Sequence, residues 1–382
     1  MTSTPPPSLP QPGELLAGKY RVERLIGQGG MGVVYAAQHE LLGQRVAVKL
    51  LITQGPQRAE ASARFLQEAR AAARIQHEHI ARVSDVGARE NGTPYLGMAF
   101  REGRDLSAVL QTQGPLDSTR AVDYVLQALE AVAQAHALGI VHRDLKPANL
   151  FLAKKLDGSS TVKVLDFGIS KTTDPLQSGA QTSTQSMLGS PYYMSPEQLR
   201  SSKNVDRRTD IWSMGVILYE LLTGTLPFQA DTLGGLFAAI LEETPMRIRL
   251  KRPEVPAELE AVVWRCLARR PEDRFASAVE LADALAPFAS DAGLASIDRI
   301  VALANAAGET SGAAGLPEGS IPPRGLGSTT GRGRTTGRGR TASTWQTSGV
   351  TQPRSGARVA VVVAALLATA GVVVGAVVHF AG

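Results

Sequence analysis

A cluster of polar side chains occupies the segment Val141-His142-Arg143-Asp144-Leu145-Lys146-Pro147-Ala148-Asn149. Pro147 prevents a continuous helix, so the polar groups must project from a loop. A carboxylate that accepts a proton, an ammonium that neutralises negative charge and an amide oxygen that ligates a hard cation suit the transfer of a phosphoryl group. The alternative is a polar surface loop that contains the same residues by chance.

The composition indicates one large folded domain with less ordered flanks. The chain has 382 residues, of which 43% are apolar, together with 38 Gly and 22 Pro. Cys266 is the single cysteine, which excludes an internal disulfide and a Cys-rich zinc site. The net charge of +5 lies mainly in the tail, because residues 289–382 hold eight Arg against four acids. Residues 1–19 begin Pro-rich, with no basic or apolar leader, and predict a disordered segment without a signal peptide.

A glycine-rich pattern follows a predicted strand that begins at Tyr20, and it reads Gly27-Gln28-Gly29-Gly30-Met31-Gly32-Val33-Val34-Tyr35. Alone it is weak, because the same glycine spacing marks dinucleotide-binding folds, in which a helix follows the glycines. Here β-branched and aromatic residues follow, which favours a second strand. The pattern therefore predicts a hairpin over nucleotide phosphates, and a tight hairpin without a ligand is the alternative.

A lysine ends the next predicted strand, Val46-Ala47-Val48-Lys49. A lysine on a buried strand needs an anionic partner. The candidates are nucleotide phosphates and Glu68, which lies in residues 63–76, a segment rich in helix-forming residues. The alternative for Glu68 is a solvated helix face.

Further elements follow in order along the chain. Residues 94–103 predict a strand that runs into a connector, and residues 117–138 predict a helix with apolar residues at helical spacing. Asp157-Gly158 predicts a hairpin turn, after which comes Asp166-Phe167-Gly168. Helices are predicted over residues 211–222, 257–268 and 277–288.

The motifs in this order resemble those of protein kinases, and residues 20–288 are similar to a bacterial, eukaryotic-like serine/threonine protein kinase. The resemblance implies an α+β, two-lobed fold with a β-rich N-lobe and a helical C-lobe. It also implies ATP and Mg²⁺ as cofactors and Ser or Thr hydroxyls of proteins as acceptors.

The resemblance assigns roles to individual residues. Asp144 orients the hydroxyl and accepts its proton, Lys146 neutralises charge, Lys49 pairs with Glu68, and Asn149 and Asp166 hold magnesium. The implied nucleotide-binding residues are Ile26, Gly27, Gln28, Gly29, Gly30, Met31, Gly32, Val33, Val34, Ala47, Lys49, Met98, Phe100, Asp105, Asn149 and Asp166. For Asp105, capping the helix that begins near Leu106 is an equal alternative.

The resemblance also predicts a regulatory loop between Gly168 and Glu197. Arg143 would receive a phosphate placed on Thr182, Ser183 or Thr184. Glu197 and Arg274 match a buried ion pair, and Asp210 matches an acid that holds the backbone of the catalytic loop. Ser190 and Ser195 stand where Thr and Ala are usual in this family, which leaves the substrate-side contacts less defined.

The C-terminal part lacks periodicity over residues 289–357 and is rich in Gly, Ser, Thr and Arg, which predicts a flexible linker. Its Thr-Thr-Gly-Arg-Gly-Arg repeat could contact anionic lipid headgroups. Nucleic acid is the least favoured partner, because no aromatic residue interleaves before Trp345.

Residues 358–380 predict a single transmembrane helix. They include an uncharged apolar run over residues 359–378, and a buried helix of a soluble domain is the alternative. Arg354 and Arg358 precede this run, which predicts a cytoplasmic kinase domain at a membrane. Gly371 and Gly375, on one helix face, support the hypothesis of a homodimer.

Two other functions compete with a protein kinase. A membrane-tethered pseudokinase scaffold would have no chemical need for the full set of Lys49, Glu68, Asp144, Asn149 and Asp166. A small-molecule phosphotransferase would not explain Ser195-Pro196-Glu197 or the Ser- and Thr-rich loop.

Overall fold

Two antiparallel sheets frame the N-terminal half of the protein. The computed structural model describes residues 9–29, 32–52, 58–167, 191–201 and 205–313. The larger sheet has the strand order β1-β2-β3-β4-β6-β5. Its strands are β1 (Leu15–Leu16), β2 (Tyr20–Gly29), β3 (Gly32–His39), β4 (Arg45–Leu51), β5 (Val83–Ala88) and β6 (Pro94–Ala99). The smaller sheet contains β7 (Gly103–Asp105), β8 (Leu150–Lys154) and β9 (Ser160–Val164).

The alternation of side chains in β3 decides which residues face the site. Val33 and Tyr35 are buried, and together with Val48 of β4 they belong to one hydrophobic core of the sheet. Val34 lies opposite Lys49 in the register of β3 and β4, and directly paired residues share one face of a sheet. Val34 and Lys49 therefore lie on the other face. The prediction that Val33 contacts nucleotide is wrong for its side chain, because a strand cannot turn two successive side chains to the same face.

Helix α1 (Arg58–Ala73) lies in the chain between β4 and β5, and the other helices follow β7. They are α2 (Leu106–Gln113), α3 (Ser118–Ala137), α4 (Pro196–Arg200), α5 (Arg208–Thr223), α6 (Leu233–Glu242), α7 (Ile248–Lys251), α8 (Ala257–Cys266), α9 (Ala278–Leu285) and α10 (Asp291–Ala313). Short 3₁₀ turns occupy Pro147–Asn149, Pro191–Tyr193, Pro271–Asp273 and Ala286–Phe288. The α+β, two-lobed architecture predicted from the sequence is confirmed.

Helix α3 is the centre of the helical lobe. Asp117 caps its start by accepting a hydrogen bond from the Arg120 backbone N–H at 2.9 Å. Its apolar residues, among them Leu126 and Leu129, are buried in one core with Trp212 of α5. Because α3 ends just before residue 141, its packing fixes where the catalytic loop begins.

Helix α10 lies where the sequence predicted a flexible linker. The linker prediction for residues 289–357 is therefore wrong over Asp291–Ala313. Ile297 and Ile300 are buried at helical spacing, and Ser290 donates hydrogen bonds to Asp123 of α3 from both its N–H and its Oγ. The Ala- and Gly-rich composition resembles a linker, but these few contacts with α3 suffice to dock a helix.

The start of the domain also differs from the prediction of a disordered leader over residues 1–19. Strand β1 pairs with β2, and Leu16 is buried in the core of the sheet. The Gly13 N–H donates to the Val22 carbonyl at 2.8 Å. The leader prediction is wrong over residues 9–19, because a two-residue strand has too few residues to show periodicity.

Several predictions concern residues outside the described ranges. These are the leader over residues 1–8, the rest of the linker over residues 314–357 and the membrane span at residues 358–380. In the part of the chain that the structure describes, none of the helices combines the length and the apolar character needed to cross a membrane.

Candidate active site

The catalytic loop follows α3 and brings the predicted polar side chains together. The Lys146 Nζ atom lies 2.9 Å from Asp144 Oδ2. The Asn149 Nδ2 atom donates to the backbone carbonyl of Asp144 at 2.7 Å and lies 3.3 Å from its Oδ2. Asp144 is only 8% exposed, so its ionised form depends on these neighbours. A mostly buried carboxylate beside a cation is the arrangement expected of a proton acceptor.

Asp210 of α5 holds the backbone of this loop. Its carboxylate is fully buried and accepts the N–H groups of His142 and Arg143, each at 2.9 Å. His136 Nε2 lies 2.8 Å from the same carboxylate. Burial acts to raise the pKa of Asp210, but the hydrogen bond and charge of His136, with the backbone donor of His142, bring it below its usual value. The prediction that Asp210 holds the loop is confirmed.

Arg143 and Asp166 both have left-handed backbone conformations, with φ of 64° and 55°. Such conformations cost about 1–3 kcal/mol for residues other than glycine and persist only when the surroundings fix them. At Arg143, Asp210 holds the N–H and the Gln198 side chain donates to the carbonyl at 2.9 Å. The strained backbone is thus clamped on both sides.

Asp166 reaches the catalytic loop from the end of β9. The Leu165 N–H donates to the Asn149 carbonyl at 2.9 Å, which brings the segment of Asp166 close to Asn149 in space. The His142 ring packs against Phe167 with centroids 4.7 Å apart. On the opposite side, Lys49 Nζ lies 2.7 Å from Asp166 Oδ2. The structure therefore joins the sheet, the catalytic loop and Asp166 in one place.

The Lys49–Glu68 ion pair stays a prediction. Glu68 lies in α1 as expected, but its side chain is outside the described part of the structure. Gly30, Met31, Thr182, Ser183 and Thr184 also lie outside the described residues, so the phosphate-receiving role of Arg143 is likewise untested.

The donor set fits a magnesium ion. Asp166 offers a carboxylate, and Asn149 is oriented by its Nδ2 hydrogen bond so that its amide oxygen can serve as a second oxygen ligand. Mg²⁺ is a hard cation that prefers oxygen ligands and is commonly bound through one or two protein groups plus phosphates. Among the described residues there is no cluster of three or more His, Cys, Asp or Glu that could hold a metal without such phosphates.

A cavity of about 350 Å³ opens beside Lys49 and Asp166. Its apolar wall includes five of the residues predicted to bind nucleotide, namely Ile26, Val34, Ala47, Met98 and Phe100. A cavity with an apolar lining that also includes a cation and a carboxylate suits a purine base joined to phosphates. The position of the predicted nucleotide site is thus matched by a cavity of suitable chemistry.

The remaining predicted contact residues divide by position. Gly27, Gln28 and Gly29 end β2, and Gly32 begins β3, where the nearby Leu50 carbonyl leaves no room for a side chain. Asp105 caps α2, accepting from the Ala108 N–H at 2.9 Å. The capping alternative is therefore confirmed for Asp105, which is not among the residues that line the cavity.

The comparisons with known proteins agree with this geometry. The model of the protein kinase domain matches residues 20–285. The chain belongs to the protein kinase family. Two similar proteins from Myxococcus xanthus are named serine/threonine-protein kinase pkn3, 41% identical over 269 residues, and Pkn1, 43% identical over 268 residues. The matches cover 70% of this chain but 49% and 38% of those proteins, so the chain spans about half or less of their length.

The kinase fold is also found among solved structures. The PknI kinase domain of Mycobacterium tuberculosis is 30% identical, with a TM-score of 0.57. The likeness covers 73% of this chain and all of that chain.

Some residues of this kinase site were missed from the sequence. Ile80, Lys163 and Leu165 also line the cavity. Leu165 directly precedes Asp166, so its position beside a motif was an available signal. Ile80 reaches the site through a bridge to Val164, a long-range pairing that leaves no local pattern.

A buried ion pair secures the helical lobe of the kinase domain, as predicted. Arg274 Nη1 and Nη2 donate to the two carboxylate oxygens of Glu197 at 2.7 and 2.8 Å. Arg274 is 2% exposed and also donates to the carbonyls of Ala268, Arg269 and Arg208. Burial acts to raise the pKa of Glu197, but Arg274 lowers it below its usual value.

We expect Arg274→Ala to lower the free energy of unfolding by about 3–5 kcal/mol near neutral pH, because Glu197 is left as a mostly buried, unpaired charge. A lowered folded pKa contributes stability above the unfolded pKa, about 4.3, that is lost as pH falls through the folded pKa. The difference between wild type and variant should therefore shrink in acid. Urea unfolding at several pH values measures it.

The matched control is Arg270→Ala, which removes an exposed arginine of the same segment that pairs with exposed Glu272. It should change stability little, because exposed ion pairs are weak. Equal destabilisation by the two substitutions would contradict the role assigned to the buried pair.

Proposed function

We propose that this chain transfers the γ-phosphoryl group of ATP to serine and threonine hydroxyls of proteins. The observation that carries the proposal is that Lys146 and Asn149 each lie within hydrogen-bond distance of the Asp144 carboxylate, in the same site as the Lys49–Asp166 pair. The kinase names of the relatives support the activity, and their serine/threonine designation supports the acceptor class.

Each of the site residues would have its own role in the transfer of the phosphoryl group. Bound Mg·ATP would supply the phosphoryl group and the divalent charge. Asp144 would accept the proton as the acceptor oxygen forms its bond to the γ-phosphorus and the bond from that phosphorus to the bridging oxygen breaks, which leaves ADP. Lys146 would offer positive charge beside the transferred group. Asn149 orients Asp144 through its backbone carbonyl. Lys49 places a second positive charge at the phosphate end of the cavity.

The test is label transfer from γ-labelled ATP by the full chain with Mg²⁺ and a protein substrate. Asp144→Asn removes the proton acceptor while keeping the side-chain shape, and we expect transfer to fall by about 10²–10⁴-fold. Asp231→Asn, at an exposed aspartate before α6, is the matched control and should leave transfer unchanged. Equal label with wild type and Asp144→Asn would contradict the assignment.

A scaffold without catalysis gives a different result in the same experiment, since wild type would bind nucleotide but transfer no label.

We also propose that the chain phosphorylates itself, on Thr182, Ser183 or Thr184, with Arg143 receiving the phosphate. Mass spectrometry of the labelled wild type should find phosphate in residues 169–195, and its absence there would contradict self-phosphorylation of this loop.

We further propose that residues 358–380 anchor the chain in a membrane with the kinase domain on the cytoplasmic side, where it would signal. The support is the uncharged run over residues 359–378 and the arginines before it. Gly371 and Gly375 supply a face on which two such helices could pair as a homodimer. This attachment is independent of the catalytic proposal.

The full chain should remain in membranes after alkaline extraction, because a spanning helix is not released by loss of charge attraction. Leu366→Arg with Leu367→Arg should release it, since two arginines at the centre of the run oppose insertion. Release of the wild type would contradict the anchor.

Crosslinking of the membrane-bound chain tests the homodimer. Crosslinking that is unchanged by the double substitution Gly371→Leu with Gly375→Leu would contradict pairing through the helix face of these two glycines.

A further inference from the structure

Glu130 is a buried acid that the proposed reaction does not use. It lies in the middle of α3, and its side chain is 0% exposed. A buried carboxylate needs both charge compensation and hydrogen bonds. Arg299 of α10 supplies both in a two-pronged contact, with Nε 2.7 Å from Oε2 and Nη2 2.8 Å from Oε1. Arg299 lies beyond residues 20–285, which match the kinase domain model.

The same carboxylate faces two histidines from the segment between α1 and β5, and the more distant one is His77, with its Nε2 3.8 Å from Glu130 Oε2. His79 Nε2 lies 3.3 Å from Glu130 Oε1, and His79 is almost fully buried. Burial acts to raise the pKa of Glu130, but hydrogen bonds from His79, Arg299 and Ser296 lower it to about 2. Glu130 is therefore a fixed negative charge that joins α10 to His79.

His79 is in turn fastened to β9. Its Nδ1 lies 2.8 Å from the Val162 carbonyl and donates a hydrogen bond to it, because a carbonyl oxygen can only accept. Its backbone carbonyl accepts the Val164 N–H at 2.8 Å, and the Ala81 N–H donates to the Val164 carbonyl at 3.1 Å. Asp166 follows two residues after Val164. A continuous set of contacts thus leads from Arg299 through Glu130 and His79 to β9, which ends two residues before Asp166.

We propose that Arg299 is a positioning residue for phosphoryl transfer, which acts through Glu130 and His79 to hold β9 and hence Asp166 in place. The inference rests on the kinase activity proposed above. Without Arg299, Glu130 would draw His79 towards it, because the present 3.3 Å separation is longer than a charge-assisted hydrogen bond of 2.7–2.9 Å. His79 would then pull on Val162 and Val164.

Asp166 is sensitive to such a shift for two reasons. Its backbone has a left-handed φ of 55°, a conformation that a residue other than glycine keeps only when the surrounding structure fixes it. Its carboxylate also has to meet Lys49 at one end and the magnesium position at the other. A small displacement of β9 should therefore affect use of Mg·ATP more than binding of the protein substrate.

The chain offers a matched control for a merely structural role of α10. Ser290 fastens the start of the same helix to Asp123 of α3, with its N–H at 3.0 Å and its Oγ at 2.6 Å from the carboxylate. In the part of the chain that the structure describes, the hydrogen bonds of Ser290 involve Asp123 and Gly293, and neither β9 nor His79. Ser290→Ala should loosen α10 without changing the position of Asp166.

The experiment compares wild type, Arg299→Ala, Arg299→Lys, Ser290→Ala and Asp144→Asn as full chains. For Arg299→Ala we expect kcat/KM for Mg·ATP to fall by about three- to tenfold, the usual size of coupling through intervening residues, with KM for the protein substrate unchanged. Arg299→Lys should recover part of the loss, because it restores the charge but not the two-pronged contact. Ser290→Ala should keep wild-type kinetics even where it lowers the melting temperature.

Amide hydrogen exchange gives a second measurement that does not depend on activity. The amides of Val164 and Leu165 should exchange faster in Arg299→Ala than in wild type, and not in Ser290→Ala. Equal kinetics or equal exchange at these amides in the two variants would overturn the inference. If Arg299→Ala does not fold, Arg299→Lys against Ser290→Ala decides it in the same way.

The two proposals fail in distinguishable ways. Wild-type transfer no higher than that of Asp144→Asn would refute the kinase activity, and the exchange at Val164 and Leu165 would still decide whether Arg299 holds β9. Normal wild-type transfer with an Arg299→Ala variant that matches it in kinetics and exchange would refute the positioning role alone.

Discussion

The structure of the site depends on the buried carboxylate of Asp210. It accepts hydrogen bonds from two backbone N–H groups of the catalytic loop and lies beside one histidine. The loop has a left-handed backbone conformation at Arg143. Charge-assisted hydrogen bonds are stronger than neutral ones, and leaving a buried carboxylate unpaired is costly. The loop conformation that satisfies Asp210 therefore offsets the strain at Arg143, and it also directs Asp144 into the site.

From this fixed loop the other parts of the site follow by short links. Asn149 donates a hydrogen bond to the Asp144 carbonyl, and the Leu165 N–H donates to the Asn149 carbonyl, so the residue before Asp166 is linked to the loop. Lys49 enters from the sheet and meets Asp166. The two lobes thus contribute to one site through a carboxylate–ammonium contact, and groups from distant parts of the chain are held close together.

Much of the fold and of the site was predictable from the sequence, because its signals are local. The residues of the catalytic loop and Asp166 are neighbours in motifs, α3 shows helical spacing, and Asp157-Gly158 marks the β8–β9 turn, where Gly158 has a φ of 83°. Asp210 and the Glu197–Arg274 pair were predicted through family resemblance. The motif places its valine at Val34, two residues after Gly32, and the side chain of Val33, which was predicted with it as a nucleotide contact, is buried in the core of the sheet.

The features that escaped prediction depend on contacts between distant segments. Helix α10 has a linker-like composition, and only its fit against α3 identifies it. Glu130 looks like an ordinary helix residue, yet it is buried between Arg299 and His79, which are respectively 169 residues after it and 51 residues before it in the chain. No local pattern encodes such pairings. They explain why a segment outside the recognised domain contributes to its structure.

The role of Asp210 in holding the catalytic loop is tested most directly by amide hydrogen exchange at His142 and Arg143 in Asp210→Asn and in wild type. Asparagine has nearly the same shape but is neutral and has a single acceptor oxygen. Neither hydrogen bond is then charge-assisted, and one of the two backbone N–H groups loses its acceptor, because the two groups bond different oxygens of Asp210. In Asp210→Asn we expect the His142 and Arg143 amides to exchange about ten- to a hundredfold faster than in wild type, the equivalent of roughly 1.5–3 kcal/mol. Amides inside α3 should keep their protection. Unchanged protection of His142 and Arg143 in a folded Asp210→Asn variant would contradict this role of Asp210.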